Sequence, residues 1–284
     1  MIVLIVCLFF AGLNQSSAQE LILSGEAKPG NLMLGYAPNS ESVYLDTIKL
    51  GVDKGVFLFG FDRDETGTHY IKVKLKNGKS ILKKIDLRER KYKIQRINKI
   101  KKKFVTPPES ALKRIEQERK VLKSAREKIG KTDTAYYLEG FIRPVKGGRV
   151  TSVFGSQRIL NGVPKNPHNG LDIALPKGTP VYATTGGIVR LAGKNFYYNG
   201  NFVLIDHGQG LSSIYLHLSK ILVKEGDRVK KGGKIGEIGT TGRSTGPHLH
   251  WGVQWFGKRI DPVSLLNLKF APVLKNINRL SQTN

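Results

Sequence analysis

The sequence predicts a mainly β protein in two parts: a small β-sandwich-like domain and, after a linker helix, a larger domain of antiparallel hairpins. Three observations predict this. Apolar and basic residues alternate from Tyr70 to Lys76, the period of a half-buried strand. Between Thr106 and Gly130 the apolar period becomes helical. After Gly140, glycine is frequent and short β-type runs recur without any long amphipathic helix.

The first element is an apolar run, Ile2 to Leu13, followed by the small residues Ser16-Ser17-Ala18. It reads as an export signal over residues 1–18, although no Lys or Arg precedes the run. The run falls short of the roughly 20 residues a membrane span needs. Cys7, the single cysteine, lies within it and follows Val6 rather than the small residue of a lipoprotein signal. The mature chain is therefore expected to carry no cysteine, which excludes cysteine nucleophiles and cysteine metal sites.

Residues 19–105 form the first β domain. Strands are expected at Val43–Leu50, Val56–Phe61, Tyr70–Lys76 and Ser80–Ile85, and Asn77-Gly78 supplies a tight hairpin turn between the last two. The linker helix covers 106–130. Thr106 is expected to cap it, with Pro107 at the first helical position, Glu109 three residues after the cap and Gly130 as the stop. The second β domain covers 137–268. Its strands are expected at Val150–Phe154, Leu171–Leu175, Gly187–Leu191, Phe202–Asp206 and Ser212–Leu216. A tail, 269–284, ends the chain.

The net charge of +25 calls for an anionic partner. About half of it lies in one stretch: Lys83 to Lys131 holds 19 basic and 6 acidic residues, a net of +13. No nucleic-acid motif accompanies the charge, so nucleic acid is not expected as a partner. An anionic envelope polymer bound through 83–131 explains the charge as well.

Five of the six histidines follow residue 167. In a strand, His248 and His250 point to one face and Leu249 to the other. His168 and Asp172, four residues apart, can converge on one ion if the first ends a loop and the second lies in a strand. Imidazole nitrogen and carboxylate oxygen are good zinc ligands, and catalytic zinc usually keeps three protein ligands and an open position. His217, in Tyr215-Leu216-His217-Leu218, is a further candidate. Alone, each grouping has an ordinary reading as a packed or hydrogen-bonded strand histidine; together they point to a metal site. His207, in Asp206-His207-Gly208, is read as part of a structural turn and His69 as a surface residue.

These residues carry a resemblance. Arg149-Val150-Thr151-Ser152-Val153-Phe154-Gly155, His168-Asn169-Gly170-Leu171-Asp172, Gly178-Thr179-Pro180-Val181-Tyr182-Ala183, Tyr215-Leu216-His217-Leu218 and Gly246-Pro247-His248-Leu249-His250 occur in order. Over about 140–266 the chain resembles the lysostaphin-type, or LytM-domain, peptidoglycan metalloendopeptidases. The resemblance implies one Zn2+ bound by His168, Asp172 and His250, with His217 and His248 beside the open metal position as catalytic residues. It implies peptidoglycan as substrate, hydrolysis of its peptide cross-links (a D,D-endopeptidase being the working expectation), and a periplasmic or envelope-associated location. The rival expectations are a non-catalytic LytM-type regulator, which would lack zinc ligands, and a biotinyl or lipoyl carrier, whose signature around the modified lysine is missing near Lys230-Lys231. Tyr182, Tyr197, Tyr198 and Trp255 are candidates for groove walls. The first β domain is read as a packing or positioning domain; the alternative is that the region before Tyr137 covers the groove and restrains the site.

Overall fold

The Asn77-Gly78 turn does what its sequence requires: Gly78 takes φ 83°, and β6 (Thr68–Leu75) pairs antiparallel with β7 (Ser80–Asp86) across it. Ile71, Val73 and Leu75 point inward and are buried, whereas Tyr70, Lys72 and Lys74 face solvent. In this computed structural model, residues 21–99 and 102–270 are described. The proposed export signal and most of the tail lie outside them.

The other strands before the helix are β1 (Ile22–Ser24), β2 (Leu32–Tyr36), β3 (Ser40–Leu45), β4 (Ile48–Leu50), β5 (Val56–Gly60) and β8 (Ile94–Ile97). They form a β1-β2-β5 sheet and a β4-β3-β6-β7 sheet that share one apolar core. The expected single strand Val43–Leu50 is instead a hairpin, β3–β4. Asp46 breaks it by adopting φ 54°, and its carboxylate accepts from the Tyr70 backbone N at 2.8 Å. Asp46 also holds His69 Nδ1 at 2.8 Å, and the His69 ring packs 4.9 Å from Phe61, so this histidine is tucked into the domain rather than free on its surface.

Two helices follow, α1 (Lys102–Val105) and α2 (Glu109–Glu127). The helix starts later than its capping pattern predicts. Pro108 is the N-cap and makes no side-chain cap bond, while the Thr106 backbone N is taken by the Lys102 carbonyl of α1 at 2.9 Å. A proline pair disfavours helical backbone in the residue before each proline, which pushes the start to Glu109.

The C-terminal part contains β9 (Arg149–Ser152), β10 (Gln157–Leu160), β11 (Val163–Lys165), β12 (Gly170–Ala174), β13 (Pro180–Tyr182), β14 (Gly187–Phe196), β15 (Gly200–Asp206), β16 (Leu211–Ile221), β17 (Arg228–Val229), β18 (Lys234–Ile238), β19 (His248–Trp255) and β20 (Lys258–Ile260), then α3 (Pro262–Leu266). The main sheet runs β17-β14-β15-β16-β19-β12-β9, with β13, β18 and β20 attached at its sides. Leu249, Trp251, Val253 and Trp255 from β19 are buried under it. Trp255, a candidate groove wall, is therefore a core residue, its Nε1 donating to the Gln209 carbonyl at 3.1 Å. One strand crosses the expected domain division: β8 pairs in parallel with β10 to join a β11-β10-β8 sheet. Among the described residues, no helix is long and apolar enough to cross a membrane.

Candidate metal centre and groove

Strand register places the first pair. β12 and β19 run antiparallel with Asp172 directly opposite His250, and directly paired residues share a face. The strands pack closely here because residue 170 is glycine: a Cβ would meet the Trp251 carbonyl at 2.5 Å and His250 Nε2 at 2.8 Å. His168 comes from the loop before β12. Its backbone N donates to Ser156 O at 2.9 Å and its carbonyl accepts from Gly155 N at 2.8 Å, fixing it against the turn after β9.

The three donor atoms form a small triangle. His168 Nε2 lies 2.9 Å from Asp172 Oδ1 and 3.0 Å from His250 Nδ1, and His250 Nδ1 lies 2.8 Å from Asp172 Oδ1. His168 Nδ1 sits 2.8 Å from Ser152 Oγ and 3.0 Å from the Val153 carbonyl. Ser152 gives its own proton to Gln95 Oε1 at 2.8 Å, so both groups facing Nδ1 are acceptors and the ring proton belongs there. Nε2 is then a lone pair aimed at a carboxylate. A second proton on it would make a cation of a ring that is 1% exposed. A divalent ion satisfies all three atoms instead. Tetrahedral zinc, with bonds of about 2.0–2.2 Å, asks for donors about 3.3 Å apart, a few tenths more than the spacing seen. His168, Asp172 and His250 are thus a metal-binding triad whose three donor atoms lie within 4.8 Å of one another.

Electrostatics agree. Burial would raise the Asp172 carboxyl, but the His168 and His250 imidazoles outweigh it and hold the group well below the usual carboxylate range. Burial lowers His250 to about 4 against the pull of Asp172, which favours the neutral imidazole that a metal ligand requires.

His217 arrives by a different device. Val203 pairs with Tyr215 and Asn201 with Leu218, so Leu216 and His217 together oppose Phe202, a β-bulge. His217 takes φ 65°, and the bulge turns its ring toward the site. Its centroid lies 4.8 Å from His248 and 6.4 Å from His250. Its Nδ1 donates to the Thr241 carbonyl at 2.8 Å, which leaves Nε2 as the free acceptor. Burial, then the neighbouring His248 and His250, lower it to about 3. His248 Nδ1 likewise donates to the Gly246 carbonyl at 2.9 Å.

The structure therefore assembles all five residues singled out in the sequence. His207 is set apart, buried between the Gly186 carbonyl and Ser213 Oγ at 2.6 and 2.7 Å. One contributor was not visible in the sequence. Arg158 on β10 donates from Nη2 to Asp172 Oδ2 at 2.8 Å, engaging the carboxylate oxygen that the triangle does not use. Its partner is 14 residues away and the chain has 47 basic residues, so the sequence offers no cue. The site opens into a groove of about 590 Å3 lined by His168, His217 and His250, with Arg158, Arg243 and Tyr198 alongside. Val105, Ile115, Glu118 and Leu122 line the same groove from the side of α1 and α2.

Two histidines and one aspartate on an antiparallel sheet, with two further histidines nearby, make a donor set suited to a catalytic-type zinc site. Peptidase family M23 matches residues 166–262, a C-terminal segment that holds every one of these histidines, and over this segment the chain is similar to that family. The peptidoglycan DD-endopeptidase ShyA of Vibrio cholerae is 51% identical over 105 residues, 36% of this chain and 24% of that protein. The DD-carboxypeptidase/endopeptidase Mpg of Neisseria meningitidis is 40% identical over 124 residues, 44% of this chain and 28% of that protein. The chain thus spans about a quarter of the length of these curated relatives. A crystal structure assigned to peptidase M23 from Pseudomonas aeruginosa superposes with a TM-score of 0.62 at 27% identity, covering 85% of this chain and 96% of that one.

Proposed function

We propose that this protein is a zinc-dependent endopeptidase that hydrolyses D,D peptide cross-links of bacterial peptidoglycan, at the cell envelope. The observation that carries the proposal is the triangle of His168 Nε2, Asp172 Oδ1 and His250 Nδ1, with edges of 2.8–3.0 Å, inside the segment that family M23 matches. Two relatives named for D,D-peptidase activity support the choice of bond. The rival, a non-catalytic regulator, is disfavoured because its premise is a missing ligand and none is missing.

His168, Asp172 and His250 would hold one zinc ion. Bound zinc would polarise the scissile carbonyl and ease deprotonation of the attacking water. His217, neutral and with Nε2 free, accepts the water's proton or faces the developing oxyanion together with His248. Arg158 neutralises the outer oxygen of Asp172 and keeps Oδ1 turned toward the two imidazoles, where a metal would sit. In a D,D cross-link the scissile amide joins the carbonyl of one D-residue to the nitrogen of a D-centre that keeps its own carboxylate free. The basic stretch 83–131 supports binding to anionic envelope polymers.

The test is zinc content together with cross-link cleavage of purified sacculi, for the full chain and for His250→Ala. About one zinc per chain and cleavage lost in the variant supports the reading; a chain that holds no zinc moves it to the regulatory alternative.

A further inference from the structure

The loop that leads into β19 carries a guanidinium that the metal chemistry does not use. Two residues of this loop hold the auxiliary histidines: the Thr241 carbonyl accepts from His217 Nδ1 at 2.8 Å, and Ser244 Oγ lies 3.2 Å from His248 Nδ1. Arg243 stands between them in the chain, half-buried, and lines the metal groove. Its guanidinium carbon lies 4.6 Å from the centroid of Tyr198, so an aromatic ring backs one face. Among the described residues it has no carboxylate partner; Nη1 reaches only the Phe104 carbonyl of α1, at 3.4 Å. Arg158, the neighbouring groove arginine, is already engaged by Asp172. Burial and the charge of Arg158 lower the pKa of Arg243 more than Tyr198 raises it, as for a cation desolvated beside another cation. A rigid planar fork of donors, backed by a ring and facing a groove, fits a carboxylate through two parallel hydrogen bonds.

We infer that Arg243, supported by Tyr198, is a carboxylate-binding subsite, and that it takes the free carboxylate of the D-centre on the amine side of the scissile bond. This deepens the D,D-endopeptidase reading and rests on it for the identity of the ligand. That carboxylate is one carbon from the scissile nitrogen, so a cation lining the same groove as His217 and His250 is placed to meet it. The Phe104 carbonyl occupies one donor of the subsite in the present arrangement, and a bound stem peptide replaces that contact. The subsite makes the enzyme selective for cross-links whose amine-side carboxylate is free over those in which it is amidated.

The experiment measures calorimetric binding of two probes to the zinc-loaded full chain. Both are stem-peptide analogues with a reduced, uncleavable scissile bond; one ends in a free carboxylate and the other in a carboxamide. The parent chain binds the carboxylate form roughly tenfold or more tightly, as a charge-assisted hydrogen bond implies. Arg243→Met removes the preference and Arg243→Lys keeps part of it, with zinc content and thermal midpoint retained. Equal binding of both probes by the parent chain, binding of neither, or a preference that survives in Arg243→Met overturns the inference. If Arg243→Met does not fold, the parent comparison and Arg243→Lys decide. A carboxylate preference in a chain that never cleaves sacculi would sink the proposed activity and leave the subsite standing.

Discussion

Arg158 and His207 show two ways a single side chain acts on this molecule. Arg158 takes Asp172 Oδ2 at 2.8 Å, so Oδ1 alone faces the triangle. Removing such a supporting partner typically weakens metal affinity by about 10–100-fold. Arg158→Met is therefore expected to lose zinc to a chelator at lower concentration while keeping its fold, as read by chelator competition and circular dichroism. His207 acts on stability. Burial depresses its pKa to about 4, below the ordinary value of 6.5, so it folds neutral. Between those values the unfolded chain binds more protons than the folded one, and stability falls as pH drops from about 6.5 toward about 4. His207→Asn should flatten the dependence of thermal midpoint on pH in that window by about one proton. Four of the five site residues were legible in His-x-His and His-x-x-x-Asp, and His217 through the resemblance carried by Tyr215-Leu216-His217-Leu218. Arg158 and Arg243 were not, because their meaning comes from partners brought in by folding.

At the scale of the element, α2 is the part whose existence was readable and whose place was not. The helical period and Gly130 marked it; a cover over the groove was one reading of the whole region before Tyr137, but no residue of the pattern assigned that place to α2. It is held there by few bonds. Glu118 Oε2 accepts from the Tyr197 backbone N at 2.7 Å, Glu118 Oε1 pairs with Arg114 Nε at 2.8 Å, and Arg114 Nη2 reaches the Asn195 carbonyl. Lys128 adds an exposed pair with Glu225 that contributes little. Glu118 is the joint of this arrangement, since it binds both the helix arginine and the β14–β15 turn. Hydrogen bonds to a charged group contribute about 1.5–3 kcal/mol each. Losing one shifts the balance toward a lifted helix by roughly tenfold. Glu118→Ala is expected to raise the initial rate of sacculus cleavage several-fold at unchanged zinc content. An unchanged or lower rate would show that α2 does not restrain the groove.

Among the described residues the two β parts share one apolar core, so they are expected to unfold as a unit. The apolar core is continuous from Leu32 and Phe59 through Tyr137 to Trp255 and Ile260. Polar joints cross the same boundary. Gln209 Nε2 donates to the Val56 carbonyl at 3.0 Å, the Leu32 backbone N donates to Ser264 Oγ at 3.1 Å, and Lys258 Nζ meets Glu65 Oε1 at 2.8 Å. Arg90 is the clearest joint: it pairs with Asp261, donates to the Pro29 carbonyl at 3.0 Å and lies against the Tyr92 and Phe154 rings. Sequence composition separates a β region, a charged helix and a glycine-rich region, but it does not report that the first is packed onto the last. This changes how the restraint on the groove should be probed. Cutting the chain before Tyr137 strips Phe57, Phe59 and Phe61 from the shared core, so lost stability would mask any released activity. The expected calorimetric result for the full chain is a single unfolding transition. Arg90→Ala leaves Asp261 buried and unpaired at a cost of about 3 kcal/mol. It should move that one transition downward as a whole. A lowered first transition with an unmoved second would show instead that the halves unfold independently and that the joint is only a surface contact.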